Sequence, residues 1–172
     1  MPLTQMDIRT ILVGDGPVSS VIVLRPRDEE EGEDAPRLQL PIKVGRFEAS
    51  AIGVVVNGTP HNRPLTHDLL GNVIRALDAT IVDVTITDLV GTTYFSRVRL
   101  RKADGEVVDV DARPSDALAL AIRENVPIYA DEKVLEAANP KVAEARAQSE
   151  QLALFHDFLE GVSPDDFAAQ AE

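Results

Sequence analysis

The stretch TIVDVTITDL, residues 80–89, alternates apolar and polar side chains over most of its length. Side chains two residues apart in a strand point to the same face, so this alternation is typical of a strand with one buried and one solvated face. The predicted inner face carries Val82, Val84 and Ile86, and the outer face carries Asp83, Thr85 and Thr87. The pattern predicts a half-buried strand, and with it a protein built around a sheet.

The segment that follows, residues 92–112, predicts a hairpin that turns at Ala103-Asp104-Gly105. A two-residue turn would place Val98 opposite Asp111 and mix the core face with the solvent face. A three-residue loop with Gly105 in the left-handed conformation keeps both faces consistent, so we predict that register. The predicted pairs are Val98 with Val110, Leu100 with Val108, Arg97 with Asp111, and Arg99 with Asp109.

Two stretches rich in β-branched and aliphatic residues, 18–26 and 37–44, predict a second hairpin. The charged run between them is interpreted as a solvated acidic loop over 27–36, because its acids lack the ordered spacing of a cation-binding loop. The next segment, 45–58, is ambiguous. Its three valines favour a strand, its alanines and glutamate favour a helix, and its Asn-Gly pair is a plausible helix stop.

Two helices are predicted with similar starts. In LTHDLLGNVIRALD, residues 65–78, Thr66 is predicted to cap a helix whose apolar side chains fall on one face: Leu69, Leu70, Val73, Ile74 and Leu77. In SDALALAIRENVPIYA, residues 115–130, Ser115 is predicted to cap a helix that closes near Asn125, and a short strand follows at 126–129. Further helices are predicted at 133–138, over 141–160 and from Ser163.

These elements predict an α+β fold: a mixed, largely antiparallel β-sheet with helices packed on it, plus a C-terminal helical tail. We expect an α+β domain over 1–135, with its acidic hairpin loop at 27–36, and an acidic C-terminal helical segment over 136–172. The net charge of −12 is concentrated in the two ends, while the middle is balanced. Because phosphate binding depends on Lys and Arg, this acidity opposes nucleic-acid binding mainly at the ends.

The chain contains no cysteine, which excludes a disulfide, a thiolate metal site and a cysteine nucleophile. No apolar stretch is long enough for a membrane span, and residues 1–10 lack the pattern of a signal peptide. We therefore expect a cytoplasmic protein without a membrane partner. A P-loop, a His-Glu-x-x-His motif, a nucleophile elbow and an aromatic base-stacking platform are also absent from the sequence.

One pattern occurs twice: Arg-Pro, then a hydroxyl residue and an aspartate, then an apolar helix, in 63–70 and again in 113–123. If the two helix starts meet, Asp68, Asp116 and His67 form a polar cluster able to hold a divalent cation, with His67 as a ligand or general base. The structural alternative is that each aspartate interacts with its own helix dipole, by about 0.3–1 kcal/mol, and pairs with a nearby arginine. Spacing alone leaves both alternatives open.

Asp109 and Asp111 lie two apart on one strand face and resemble a carboxylate clamp for metal ions. The hairpin register instead favours cross-strand ion pairs with Arg99 and Arg97, each contributing about a few tenths of a kcal/mol if exposed. The row formed by Arg97, Arg99 and Arg101 is a further candidate for contact with a phosphate backbone. His61 lies in a predicted loop and is a weaker candidate than His67.

Four stretches resemble the bifunctional nuclease family of bacteria and plants: LPIKVGRFEASAI (40–52), RPLTHDLL (63–70), DARPSDALALAIR (111–123) and VPIYADEKVL (126–135). The resemblance implies a compact α+β domain, a helix over 46–57, and nuclease activity on DNA and RNA. The C-terminal LFHDFLEGVSPDDF resembles a tail of bacterial members, whereas the acidic insert at 28–34 departs from the family. The polar positions that match the family's motifs are Glu48, Arg63, Thr66, His67, Asp68, Asp111, Arg113, Ser115 and Asp116.

Two hypotheses follow. In the first, the chain is a metal-dependent phosphodiesterase: Asp68 and Asp116, with Glu48 or Asp111, hold Mg²⁺ or Mn²⁺, and His67 shuttles the proton. The predicted contacts to the substrate phosphate come from Arg63, Arg113, Thr66 and Ser115. In the second, the chain is a non-catalytic oligomeric, ligand-binding or regulatory module whose motif residues are helix caps and salt bridges. We expect a homo-oligomer, with a dimer as the first expectation.

Overall fold

The computed structural model describes residues 2–14, 19–28, 38–142 and 144. In chain order the elements are β1 (Leu3–Leu12), β2 (Ser20–Pro26), β3 (Leu40–Val44), α1 (Arg46–Val56), α2 (Thr66–Ala76), β4 (Thr80–Val90), β5 (Thr93–Arg101), β6 (Val107–Ala112), α3 (Pro114–Glu124), β7 (Ile128–Asp131) and α4 (Glu132–Ala138). Most of the acidic loop predicted at 27–36, and most of the helices predicted at 141–160 and from Ser163, lie outside the described residues.

The seven strands form one sheet in the order β3-β2-β1-β7-β4-β5-β6. Every neighbouring pair is antiparallel except β4 and β7, which run parallel. The predicted α+β class with a mixed, largely antiparallel sheet is therefore confirmed. Contacts divide the chain into two compact units, Met1–Ala138 and Asn139–Glu172, and all eleven elements lie in the first. The predicted domain boundary after residue 135 stays a prediction.

The register of the hairpin formed by β5 and β6 is the predicted one. Val98 lies opposite Val110 and Leu100 opposite Val108. Gly105 has a φ of +87°, in the left-handed region that a glycine adopts without strain. The guanidinium of Arg99 pairs with Asp109 at 3.0 Å as expected, but Arg97, although it lies opposite Asp111, makes its ion pair with Asp109 at 3.3 Å.

The prediction that β4 is only half-buried is wrong. Asp83 and Thr85, on the face expected to be solvated, are both buried, and Thr85 is only 1% exposed. The physical reason is the position of β4 inside the sheet, where side chains of the flanking strands cover it. Asp83 remains hydrogen-bonded, because it accepts a bond from the Thr85 hydroxyl at 3.3 Å and one from the Arg99 guanidinium at 3.5 Å.

The ambiguous segment 45–58 forms α1, in agreement with the helix that the family resemblance implies. Ala49 and Ile52 fall one turn apart and are fully buried, so burial of this face outweighs the strand preference of the valines. The helix ends as the sequence predicts: Asn57 is its C-cap, and Gly58 follows with a φ of +60°.

Two predicted helix caps are wrong by a residue or more. Leu65 and Arg113 occupy the N-cap positions, so Thr66 and Ser115 lie inside the first turns of α2 and α3. Pro114 accounts for the second case, since its fixed φ and missing N–H suit the first helical position and move Ser115 one place further in. In α2 the carboxylate of Asp68 accepts a bond at 2.7 Å from the backbone N–H of the N-cap residue Leu65, so this acid, rather than the Thr66 hydroxyl, makes the side-chain bond at the helix start.

Helix α3 is the most deeply buried helix among the described residues. Five consecutive apolar side chains of α3 are buried: Ala117, Leu118, Ala119, Leu120 and Ala121. Their alternation of small and large residues allows α1 and α2 to pack closely against α3. It closes at Asn125, in the left-handed conformation with a φ of 53°, as predicted. The strand predicted at 126–129 begins two residues later, at Ile128.

Candidate functional site

The first turn of α3 presents a carboxylate and a guanidinium to each other. Strand β6 ends at Ala112, Arg113 is the N-cap of α3, and Asp116 lies in its first turn. The Arg113 Nε donates to Asp116 Oδ2 at 2.7 Å, and its terminal nitrogen donates to Oδ1 at 3.2 Å. This two-point contact holds both groups in one orientation.

Helix α1 adds a second carboxylate to the same guanidinium. Glu48, in the first turn of α1, accepts a bond from Arg113 through Oε1 at 3.3 Å. The two side chains are 65 residues apart in sequence and meet because the N-termini of α1 and α3 converge. The Arg113 guanidinium is thus bracketed by two acids, while two thirds of its side chain remains exposed.

Helix α2 contributes a histidine. His67 Nε2 lies 3.1 Å from Asp116 Oδ1, and the His67 side chain is only 13% exposed. We define the Asp116 network as Glu48, His67, Arg113 and Asp116. Because an ionised carboxylate only accepts hydrogen bonds, Asp116 fixes the tautomer with a proton on Nε2 and leaves Nδ1 as the basic nitrogen.

Charges around Asp116 keep it ionised. Burial raises its pKa, but the hydrogen bonds from Arg113 and His67 and the positive charge of Arg113 outweigh burial, so the pKa lies below its usual value. At neutral pH the network therefore contains an anionic Asp116 between a guanidinium and an imidazole.

A cavity of about 290 Å³ adjoins this network. Its lining comes from the end of β3, the starts of α1 and α3, and the turn between β4 and β5: Ile42, Lys43, Val44, Gly45, Glu48, Thr92, Thr93, Tyr94, Arg113, Pro114 and Ser115. The first residues of α1 and α3 contribute to this lining, and helix N-termini in general favour a bound anion, although Pro114 has no N–H and the Asp116 N–H is already bonded to the Arg113 carbonyl. Lys43 and Arg113 add two positive charges, and Glu48 adds one negative charge.

A second cluster lies at the start of α2 and consists of His61, Asp68 and Arg123. Asp68 Oδ1 accepts a bond from Arg123 Nε at 2.7 Å, and Oδ2 lies 2.9 Å from His61 Nε2 and 2.7 Å from the N–H of Leu65. Burial raises the pKa of Asp68, but the bonds from Leu65, Arg123 and His61 outweigh it and the pKa is lowered. We call this group the Asp68 cluster.

Comparison with known proteins gives the family. A sequence profile of the bifunctional nuclease domain matches residues 29–143, which is more than half of the chain. The chain belongs to the bifunctional nuclease domain family.

Named relatives of this bifunctional nuclease domain come from bacteria and plants. An uncharacterized protein of Mycobacterium tuberculosis is 38% identical over 137 residues, which cover 76% of this chain and 81% of the relative. Bifunctional nuclease 1 of Oryza sativa subsp. indica is 27% identical over 154 residues, 86% of this chain and 45% of that protein. Bifunctional nuclease 1 of Arabidopsis thaliana is 26% identical over 115 residues, 66% of this chain and 35% of that protein. The chain thus spans less than half the length of these plant relatives.

The structure brings together some of the residues that the sequence singles out and separates others. Glu48, His67, Arg113 and Asp116 form one network, and Ser115 lies beside them in the wall of the cavity. The Asp68 carboxylate instead binds Arg123, His61 and the N–H of Leu65, which are not members of the Asp116 network. Three further predicted residues are exposed and do not line the cavity: Arg63, Thr66 and Asp111.

No group of three or more His, Asp or Glu side chains in the described part of the chain is arranged to hold a metal ion. Glu48 and Asp116 both accept hydrogen bonds from the Arg113 guanidinium, so a cation already neutralises these two carboxylates. Mg²⁺ is commonly held by one or two carboxylates together with substrate phosphates, and this pair would hold such an ion only after Arg113 had moved away from both acids.

Sequence reasoning missed several residues of this bifunctional nuclease domain. Lys43 lies within a family motif and lines the cavity. Its position as an exposed cation just before a helix start is a sequence signal that could have identified it. Thr92, Thr93 and Tyr94 carry no local signal, because only the turn between β4 and β5 brings them to the cavity. Arg123 looks like an ordinary cation in the last turn of α3.

Within the described residues, no helix is long and apolar enough to cross a membrane.

Proposed function

We propose that this bifunctional nuclease domain hydrolyses phosphodiester bonds in DNA and RNA at the cavity beside the Asp116 network. The observation that carries the proposal is the hydrogen bond between His67 and Asp116, next to a cavity at two helix N-termini. The family relationship and the names of the plant relatives agree with a nucleic-acid substrate.

The cavity suits a phosphate group. The starts of α1 and α3 contribute to the lining, where Lys43, Arg113 and the hydroxyl-bearing Ser115 also lie, and a helix N-terminus favours an anion. The lining itself carries two cations, Lys43 and Arg113, against one acid, Glu48, which favours a phosphate. Arg113 supplies a planar fork of donors able to hold two phosphate oxygens at once.

His67 is the proposed general base. Asp116 binds Nε2, so Nδ1 is the nitrogen that would accept a proton from an attacking water, and the leaving oxygen, which departs on the opposite side of the phosphorus, would take its proton from solvent. His67 does not line the cavity itself and is connected to the lining through Asp116 and Arg113. The anionic Asp116 stabilises the imidazolium formed in that step, because opposite charges 3.1 Å apart attract strongly in a partly buried site. Positioned acid–base groups contribute about 10²–10⁴-fold to a rate.

Binding of a divalent ion, Mg²⁺ or Mn²⁺, stays a prediction, and Glu48 and Asp116 would hold it only if it took the place of the Arg113 guanidinium. When bound, such an ion polarises the phosphate and lowers the pKa of a coordinated water. The proposal does not use the predicted metal ligation by Asp68, which is bound to Arg123, or by Asp111, or the predicted substrate contact by Arg63 and Thr66, and these stay untested predictions. A cytoplasmic location is likewise a prediction, based on a sequence without an apolar span, a signal-peptide pattern or cysteine.

The test is a cleavage assay on the purified full chain. Supercoiled plasmid and single-stranded RNA are incubated with increasing Mn²⁺ or Mg²⁺, with a chelator in a parallel series. We expect cleavage of both substrates by the parent, and a loss of about 10²-fold or more in Asp116→Asn. Lys102→Ala is the control, because Lys102 forms an exposed pair with Glu106 at the hairpin turn. Equal activity in a folded Asp116→Asn protein rejects the proposal.

A second candidate, an oligomeric module, is favoured by the apolar face of α2. Its side chains are predominantly exposed, with Leu69 57% and Leu77 74% exposed, and Leu65, Leu70 and Val73 also exposed. An amphipathic helix normally turns such a face towards a core. We therefore propose that another copy of this chain covers the apolar face of α2 in a homo-oligomer. Light scattering on Leu69→Glu tests this, with Val90→Glu in an exposed turn as control. A monomeric parent excludes it.

A further inference from the structure

Arg123 connects three helices through one guanidinium. Its Nε donates to Asp68 Oδ1 in α2 at 2.7 Å. Its two terminal nitrogens donate to the carbonyls of Ala119 in α3 and Ala51 in α1, each at 2.9 Å. The side chain is only 5% exposed, so these acceptors replace most of the water that a free arginine would bind.

A buried guanidinium of this kind requires a counter-charge. Removing one partner of a buried ion pair leaves an uncompensated charge and is strongly destabilising. Asp68 supplies the counter-charge, and its second oxygen also binds the N–H of Leu65 at the helix start. The first turn of α2 is therefore fixed to α1 and α3 through a single side chain.

His67 immediately precedes Asp68 in this turn. The Asp68 side chain reaches Arg123 at the C-terminal end of α3, while the His67 side chain reaches Asp116 at the N-terminal end of the same helix. Two contacts from adjacent residues to opposite ends of one helix define both the position and the rotation of the α2 start. A change at Asp68 is thus transmitted to the imidazole of His67.

We propose that the pair of Asp68 and Arg123 is a positioning device that holds His67 against Asp116, and that Asp68 takes no direct part in the chemistry. This inference rests on the proposed function in taking His67 as the general base. It assigns different roles to the two similar Arg-Pro motifs: Asp116 orients the histidine directly, and Asp68 orients the helix turn that carries it.

The size of the expected effect follows from geometry. A hydrogen bond at 3.1 Å lies near the long end of the useful range, so a shift of about 1 Å breaks it. Misplacement of a catalytic group by about 1 Å costs on the order of 10²-fold in rate. We expect that loss in kcat, with KM changed much less, because the cavity lining contains neither Asp68 nor Arg123.

The experiment observes His67 directly in the full chain. Proton–nitrogen spectra of the histidine rings report which nitrogen carries the proton and whether that proton is protected from exchange with water. The His67 signal is assigned as the one missing from His67→Asn. Asp68→Asn keeps an oxygen for the Leu65 N–H but removes the charge, and Arg123→Lys keeps the charge but loses the fork.

Arg75→Met is the matched control. Arg75 also joins α2 to α3, through Glu124, but it does so at the far end of α2. We expect exchange protection at His67 Nε2 to fall sharply in Asp68→Asn, to fall partly in Arg123→Lys, and to stay at the parental level in Arg75→Met.

Parental protection in folded Asp68→Asn and Arg123→Lys overturns the inference, as does an equal loss in Arg75→Met. Should Asp68→Asn not fold, Arg123→Lys decides alone. The spectra need no nuclease activity, so the two proposals fail separately. An inactive parent whose His67 signal still responds to Asp68→Asn refutes the hydrolytic function and leaves the positioning role of Asp68 intact.

Discussion

His67 Nε2 and Asp116 Oδ1 lie 3.1 Å apart although their residues are 49 positions apart in sequence. The contact joins the first turn of α2 to the first turn of α3, and Arg113 binds the same carboxylate from the other side. An acid that would otherwise only stabilise its own helix dipole thereby orients an imidazole at the edge of a cavity.

His67→Asn is expected to lower plasmid and RNA cleavage by about 10²–10⁴-fold, because the asparagine side chain can occupy the place of the imidazole ring but cannot take up a proton. Thermal unfolding measured alongside shows whether the fold is retained. Lys102→Ala, in the exposed pair with Glu106, is expected to cleave like the parent. A folded His67→Asn protein with parental rates contradicts the proposed general base.

The free energy of unfolding is expected to decrease as the pH is lowered, because the pKa values of Asp68 and Asp116 are lowered in the folded protein. Burial raises both, yet hydrogen bonds from Leu65 and Arg123 and from Arg113 and His67 outweigh it. In the unfolded chain an aspartate titrates near its ordinary value of about 3.9. The folded state therefore binds fewer protons in acid, so the stabilisation is complete above that value and is lost as pH falls through the lowered values.

The measurement is the free energy of urea unfolding at a series of pH values from about 7 down to about 2. Asp68→Asn and Asp116→Asn each remove one titrating group and should show a shallower decline than the parent. Asp104→Asn is the control, since Asp104 lies in the exposed turn of the β5–β6 hairpin. A parental decline in both site variants would show that other groups dominate acid unfolding.

Gly45→Ala is expected to alter the site with little change in stability. Gly45 is the N-cap of α1 with a φ of −69°, which alanine adopts readily, but an added Cβ would collide with the carboxylate of Glu48. Glu48 has a flexible side chain and can move away, which breaks its bond to Arg113. Unfolding and cleavage measured together should show a small change in stability, within about 0.5 kcal/mol, and a clear change in activity. Gly53→Ala is the control, because only the Asn57 side chain approaches its Cβ position.

Leu118→Ala is expected to destabilise the protein by about 2–5 kcal/mol, since Leu118 is fully buried in α3 and its removal leaves a cavity. Leu69→Ala on the exposed face of α2 is the matched substitution and should cost about 0.5 kcal/mol or less in the isolated chain. Chemical unfolding of both variants at low protein concentration makes the comparison. Equal losses would show that the face of α2 is covered in solution.

The pairing of β5 with β6 could be predicted from sequence because a single physical condition decides it. Only one loop length keeps Val98 and Leu100 on the core face, and the structure has that register. The burial of Thr85 could not be predicted in this way, because alternation describes one strand and not the strands beside it. The helix at 45–58 needed the family resemblance, since its valines and alanines favour different structures.

The candidate site shows the same limit. Asp68 and Asp116 follow similar local motifs, so no property of the motif distinguishes the residue beside the cavity from the residue that binds Arg123. The difference arises from contacts across 49 to 65 residues, which depend on how α1, α2 and α3 pack. The sequence could therefore identify Glu48, His67, Arg113 and Asp116 as candidate site residues. It could not predict that Asp68 lies outside their network.

Strand β7 lies at the centre of the sheet, between β1 and β4, although it comes last in sequence among the described strands. During translation, β1 to β3 and β4 to β6 can each form a three-stranded antiparallel ladder as they are synthesised. Helices α1 and α3 can bring the two ladders together, but no described strand bridges them until Asp131 has been made, and until then the edges of β1 and β4 are open to wrong pairing. A ribosome that stalls before this point leaves two half-sheets, so completion of the fold depends on four residues made late.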